Sequence, residues 1–161
     1  MNKTFFKPVL LLVCLLLSTT TVQSQTVVGW LEHVTLLMGD QKILVSAKMD
    51  SGADHSSVHA THIETSMQHG QTWVKFNIID QYEIEVPLYR YAQVKTKTVG
   101  VQNRPVVWLE LCLNGQKKRV EVNLVDRHHF SSPMLIGRSA LSGVLINPEK
   151  TNLTLNPACL D

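Results

Sequence analysis

Alternating and continuous apolar runs dominate the chain after residue 26 and predict a mostly β protein. Short breakers rich in glycine, aspartate, asparagine and glutamine separate these runs, which is typical of strands joined by tight turns. Many short strands in succession favour one small β-barrel or closed sheet. We therefore expect a mainly β fold, a small closed β-barrel with one or two short helices. The predicted strands are 27–37, 42–49, 72–79, 83–89, 92–99, 105–113 and 118–125.

Two segments are predicted as helices. The first is 56–68, "SSVHATHIETSMQ", which Gly70 would end, and the second is the short segment 137–143, "GRSALSG". A hairpin is expected between the last two predicted strands, because Asn114 and Gly115 supply the positive φ angles that a tight turn needs.

The N-terminal segment has the layout of a secretory signal. Lys3 and Lys7 precede the apolar run "PVLLLVCLLL", and a polar stretch with small residues follows, which suits cleavage after Ser24. The run is shorter than the roughly 20 residues that span a bilayer, although an uncleaved anchor is the alternative. The expected organisation is a signal peptide at 1–24 and one domain at 25–161, exported to the bacterial periplasm.

Removing the predicted signal changes the charge balance. The chain has 15 basic and 13 acidic side chains, and the loss of Lys3 and Lys7 leaves both signs equal in number. A neutral mature chain lacks the basic character of nucleic-acid-binding proteins. Cys112 and Cys159 remain, and an oxidising compartment favours a disulfide between them over two buried thiols.

The stretch around Asp50 is the first candidate site. An apolar strand stops at Asp50, and Ser51, Gly52 and Ala53 follow at once. Glycine lets the backbone approach closely, so that N–H groups can surround the carboxylate and place it to react. The alternative is an ordinary turn aspartate, since Asp-Ser-Gly is common turn chemistry.

A second stretch strengthens the catalytic interpretation. The apolar strand "MLI" runs into Gly137 and Arg138. With "LIGR" at 135–138, the motif "DSGAD" at 50–54 resembles the paired signatures of retropepsin-like aspartic peptidases. The blocks "VGWLEHVTL", "AKMDSGADHSSVHA", "WVKF", "NRPVVWLEL", "LVDRHHF", "PMLIGRSAL" and "INP" extend the likeness over about 27–148. They resemble most closely a bacterial retropepsin-like group once labelled ATP-dependent zinc proteases.

The resemblance implies a role for each matching residue. Asp50 would be the catalytic carboxylate, and the active-site turn would comprise Ser51, Gly52 and Ala53. The structural supports beneath the turn would be Gly137 and Arg138. The chain departs from the commoner pattern in having Ser51 where threonine is frequent, and Asp54 and His55 where a basic residue and a hydroxyl are frequent.

Aspartic peptidase chemistry needs two carboxylates. One activates a water and the other protonates the peptide oxygen, and two carboxyl groups about 3 Å apart share one proton. This chain has a single Asp-Ser-Gly, so we expect a homodimer with one Asp50 from each subunit. The expected activity is endoproteolysis of a peptide or protein substrate without a cofactor. A non-catalytic module that binds a peptide or envelope partner on the same fold is the alternative.

Three histidines raise a metal hydrolase as a less favoured alternative. His55, His59 and His62 have the i, i+4, i+7 spacing that would bring them together on a helix. A zinc site would take three or four such ligands, but the sequence has no His-Glu-x-x-His motif. It also has no glycine-rich Lys-Ser/Thr loop for phosphates. We therefore expect no metal and no ATP.

The segment 93–107 lies between the two signatures and has Gly100 at its centre. It is predicted to be either a flap that folds over a bound peptide or a routine surface hairpin. Asp126 and Arg127 are expected to form either a turn or a local ion pair that braces the site.

Overall fold

The computed structural model describes residues 25–96, 100–154 and 159, so that the predicted signal peptide lies outside the described residues. Ten strands and one 3-10 helix follow one another along the chain. They are β1 Thr26–Met38, β2 Gln41–Asp50, β3 Ser56–Gln68, β4 Gln71–Ile78, β5 Tyr82–Pro87, β6 Arg90–Thr96, β7 Gly100–Leu113, β8 Gln116–Val125, β9 Met134–Gly137, the 3-10 helix Arg138–Ala140, and β10 Val144–Thr151. None of the helical segments within these residues has the length and apolarity to cross a membrane.

Six of the strands close into a barrel in the order β1-β2-β9-β3-β8-β7. Closure is made by antiparallel pairing of β1 with β7, where Leu36 lies opposite Leu111. The strands β10 and β6 extend the barrel at β1 and β7, while β4 and β5 continue β3 as a second small sheet. The predicted fold class, a small closed β-barrel, is confirmed.

The core of the barrel follows from the period-two alternation of its strands. In β2, Ile43, Val45, Ala47 and Met49 are buried, and the residues between them face outward. Successive side chains of a strand point to opposite faces. The apolar residues of an alternating run therefore fill the barrel interior, while the polar residues between them face solvent. The largest fully buried side chains are Phe76, Leu36, Ile78, Leu111, Leu113, Leu124, Met134 and Ile136.

The predicted helix at 56–68 is wrong, because this segment is the long strand β3. Its first half pairs with β8 and β9, and its second half pairs with β4. The segment carries β-branched residues, including Val58, Thr61 and Ile63, whose stiff side chains favour an extended backbone. A bulge at 61–64 includes His62 with φ of +50°, and the register shift it introduces obscures the period-two pattern.

Two further local predictions have different outcomes. The Asn114-Gly115 hairpin is confirmed, with φ of +49° and +76° and Leu113 opposite Gln116. The helix predicted at 137–143 shrinks to one 3-10 turn, Arg138–Ala140, and the strand β10 was not predicted.

A buried carboxylate holds the C-terminal segment against β1. Glu32 is fully buried and accepts hydrogen bonds from the backbone N–H groups of Gly29, Leu153 and Thr154 and from the Thr154 hydroxyl. Burial alone would raise the pKa of Glu32, but these hydrogen bonds together hold it below its ordinary value. Further along the chain, the expected disulfide between Cys112 and Cys159 is present.

We expect Glu32→Gln to lower the free energy of unfolding by about 2–3 kcal/mol at neutral pH, because the amide presents N–H groups to backbone donors. The ionised form of Glu32 stabilises the fold fully above its ordinary pKa of 4.5, and this contribution is lost as the pH falls through the lower folded-state value. The variant should lose that part of the acid dependence. Urea unfolding at pH 7 and at about pH 3 measures both effects.

The matched control is Glu149→Gln, which makes the same chemical change at an exposed position of β10. Equal unfolding free energies for the two variants would contradict the role assigned to Glu32.

Candidate active site

Asp50 is the last residue of β2 and lies beside Gly137 of β9 in the parallel pairing of the two strands. The backbone turns immediately afterwards. The Gly52 N–H donates to Asp50 Oδ1 at 2.9 Å, and the Ala53 N–H donates to the Asp50 carbonyl at 3.3 Å. The carboxylate is therefore half-buried and oriented by its own turn.

Arg138 binds the turn through both its side chain and its backbone. Its guanidinium donates to the Ser51 carbonyl at 3.0 Å and forms an ion pair with Asp54. Its backbone N–H donates to the Ala53 carbonyl at 2.8 Å, and the Ser139 N–H donates to the Asp54 carbonyl at 3.1 Å. Four contacts from the start of the 3-10 helix thus hold the residues predicted as the active-site turn, and Asp54 is part of that support.

Gly137 allows the two signature segments to touch. A Cβ atom at this position would lie 2.5 Å from the carbonyl carbon of His55 and 2.6 Å from its oxygen, so no side chain fits. The Gly137 N–H donates to the Ser56 hydroxyl at 3.2 Å. The glycine predicted as a structural support therefore lies directly against the backbone that leaves the turn.

The three histidines do not converge. His62 is exposed on the β3 bulge, whereas His59 is buried and His55 contacts β6 and β8. His59 Nδ1 accepts the Arg127 N–H at 2.8 Å, so Nε2 carries the proton and donates to Asp80 at 2.9 Å. Among the described residues, no group of three or more His, Cys, Asp or Glu side chains is arranged to hold a metal ion.

The aspartates near His59 are kept ionised by hydrogen bonds. The Thr61 hydroxyl and then His59 hold the pKa of Asp80 below its ordinary value. The backbone and side chain of His128 do the same for the pKa of Asp126. Asp126 therefore has partners other than Arg127, and the local ion pair considered for these two residues is not the arrangement found.

Arg127 is a buried cation on the same side of the barrel as Asp50. Its guanidinium donates to the Ser57 hydroxyl at 2.8 Å and to the Ser132 carbonyl at 3.2 Å. Burial lowers the pKa of Arg127, the charge of Arg104 lowers it further, and Asp50 acts in the opposite direction. Arg127 is therefore within electrostatic range of both Arg104 and Asp50. Sequence reasoning did not assign Arg104, whose only signal was its place next to Pro105.

The segment predicted as a flap or surface hairpin is a hairpin of β6 and β7, in which Thr96 lies opposite Gly100. Gly100 has φ of +78°, which explains a glycine there. The tip, 97–99, lies outside the described residues, so the role of the hairpin stays a prediction.

A closed six-stranded barrel with an aspartate on a tight turn, supported by a Gly-Arg pair from another strand, defines a retropepsin-like fold. Residues 27–156 match the family model described as "Retropepsin-like aspartic endopeptidase RimB", and the chain belongs to this RimB-like family. The structure is similar to that of Lpg0085 from Legionella pneumophila, a protein of unknown function. The TM-score is 0.67 at 29% identity, over 81% of this chain and 99% of that one.

Part of the chain is also similar to larger proteins. It is 31% identical over 109 residues to a probable alpha-L-glutamate ligase of Desulfotalea psychrophila, covering 63% of this chain and 24% of that protein. A probable alpha-L-glutamate ligase of Shewanella halifaxensis is 31% identical over 117 residues, covering 66% of this chain and 25% of that protein. The chain therefore corresponds to about a quarter of each of these relatives.

We expect Gly137→Ala to lower the free energy of unfolding by about 3 kcal/mol, because the added methyl group would overlap the His55 backbone. Gly52→Ala is the matched control. A Cβ there would meet only Asp50 Oδ1 at 3.1 Å, the end of a side chain that can move, and the cost should be under about 1 kcal/mol. Urea unfolding measures the free energy of unfolding of both variants. Equal losses in the two variants would contradict the close contact between Gly137 and the His55 backbone.

Proposed function

We propose that the protein is an aspartic endopeptidase that works as a homodimer. The observation that carries the proposal is the carboxylate of Asp50, fixed at the end of β2 by the Gly52 N–H with the exposed residues Ser51 and Gly52 beside it. A carboxylate restrained in this way can meet a second copy across a two-fold axis. Membership of the family supports the hydrolase class.

The chemistry requires two Asp50 side chains that share one proton. The ionised carboxylate removes a proton from a bound water, which attacks the peptide carbonyl carbon. The protonated carboxyl group donates its proton to the carbonyl oxygen, which gives a tetrahedral diol. The carboxyl group that took the proton from water then passes it to the amide nitrogen, and the C–N bond breaks to release the amine. One diol hydroxyl returns its proton to the carboxylate pair, which again holds a single proton. The protein needs no cofactor for these steps. A bell-shaped pH dependence of kcat/KM is expected from such a pair.

The charges around Asp50 support an acidic substrate. Arg127 is a buried guanidinium whose positive charge interacts with Asp50, and a positive charge near the carboxylate pair favours an anionic group of the substrate. The ligases that share this domain are named for glutamate. We propose glutamate-rich peptides as the substrate class, cleaved after export to the periplasm.

We expect Asp50→Asn to reduce cleavage of a glutamate-rich peptide by at least about a hundredfold, because an amide can neither share nor transfer the proton. Asp40→Asn, at an exposed turn after β1, is the matched control and should keep full activity. A glutamine-substituted peptide should be cleaved more slowly than its glutamate parent. A chelator should have no effect, and a mimic with a tetrahedral hydroxyl should inhibit.

Equal cleavage by the two variants would refute the assignment of Asp50. If the wild type bound the peptide without cutting it and Asp50→Asn bound equally well, the non-catalytic binding module would replace the peptidase.

A further inference from the structure

Three side chains join the candidate active-site turn to strands β6 and β8. His55 directly follows the turn, Arg90 begins β6, and Glu121 lies in β8 opposite Trp108. Arg90 Nε and Nη2 both donate to Glu121 Oε2, at 3.0 and 2.6 Å. Arg90 Nη2 also lies 3.3 Å from His55 Nε2. Arg90 therefore links the turn to the barrel wall.

The contacts fix which ring nitrogen of His55 carries the hydrogen. A guanidinium can only donate, so Nε2 must accept and the hydrogen lies on Nδ1. Nδ1 is buried without a hydrogen-bond partner and lies 3.9 Å from Glu121 Oε2. The ring thus lies beside the Arg90–Glu121 ion pair, with Nε2 next to the cation and Nδ1 towards the carboxylate.

This triad connects parts of the chain that are distant in sequence. The His55 backbone packs against Gly137, which lies beside Asp50, while Arg90 pairs with Val106 at the base of the β6–β7 hairpin. Glu121 is the least mobile of the three residues, because β8 is a strand of the closed barrel and pairs with β3 on one side and β7 on the other. A movement of the hairpin base would therefore displace Arg90 and disturb the support of the turn.

We propose that Glu121 and Arg90 position the candidate active-site turn through His55, so that the turn and the base of the β6–β7 hairpin open together. The proposal rests on the proposed function only in treating the turn as catalytic. It also accounts for His55, which departs from the hydroxyl that the family resemblance leads one to expect. A serine or threonine side chain is too short to reach where the imidazole ring meets Arg90.

Amide hydrogen exchange of the folded chain tests the coupling without any need for activity. Glu121→Gln keeps the shape of the side chain but removes its charge. It should speed exchange about tenfold both in residues 51–55, which comprise the turn and the two residues after it, and in β6. A tenfold change corresponds to about 1.4 kcal/mol of local opening free energy. The matched control Glu83→Gln removes the same charge from the exposed Lys75–Glu83 ion pair and should change neither segment.

Two further variants separate positioning from general loosening. His55→Gln, a change directly after the turn, should speed exchange in β6. The double variant with Glu121→Gln should add little to either single change. Arg90→Lys keeps the cation without the planar fork and should retain more protection than Arg90→Gln. Exchange that changes only beside each substituted residue, or effects that simply add, would overturn the proposal.

Peptide cleavage gives an independent reading. If the wild type cleaves peptides, Glu121→Gln should lower kcat/KM about tenfold, which is about 1.4 kcal/mol, and Glu83→Gln should not change it. If the wild type cleaves peptides but exchange in the turn and in β6 changes independently, the coupling proposal is wrong and the peptidase function stands. If the wild type does not cleave peptides but exchange in the turn and in β6 changes together, the peptidase function is wrong and the coupling proposal stands.

Discussion

The contact between the backbones of Gly137 and His55 is the constraint on which the candidate site depends. β9 lies between β2 and β3 in the barrel, so the chain that leaves the Asp50 turn must pass directly over the end of β9. Only a glycine leaves room for that crossing. Once the crossing is made, Arg138 is placed to bind the carbonyl groups of the turn, and the carboxylate of Asp50 takes one orientation.

Several strands of the barrel and one of its turns could be predicted from local sequence. The strands that alternate cleanly, such as β2, and the Asn114-Gly115 turn have signals that depend on neighbours in the chain. The proximity of Gly137 to Asp50 came from the family resemblance, since parallel pairing of β2 with β9 joins residues far apart in sequence. The disulfide of Cys112 and Cys159 could be predicted because these two cysteines remain once the predicted signal peptide is removed, and because an oxidising compartment is expected.

The failures have a common physical origin in tertiary contacts. β3 reads as a helix because a bulge near His62 breaks its alternation, and three sheet neighbours decide its conformation. Glu32 looks like a surface glutamate in β1, and its role depends on a tail more than a hundred residues later. Asp54 and His55 were recognised as departures from the family pattern, but their partners Arg138 and Arg90 could not be inferred from spacing.

The sequence has one Asp-Ser-Gly motif, at 50–52, so a pair of catalytic aspartates would have to come from two chains. Part of the chain is similar in sequence to proteins with a different name, and a fold by itself does not determine a reaction. What distinguishes a peptidase from a binding module here is whether two copies of Asp50 act on one water. The charge of Arg127 bears on the proposed substrate class, whereas the proposed shared proton bears on whether the reaction occurs.

Subunit mixing tests that claim most directly. Wild-type chains are unfolded, mixed with an excess of chains carrying Asp50→Asn, refolded together, and assayed at a fixed amount of wild type. If each active site needs two Asp50 carboxylates, activity should fall towards zero as the excess grows, because nearly every wild-type chain then has an inactive partner. Activity that stays constant per wild-type chain would contradict a site shared by two subunits.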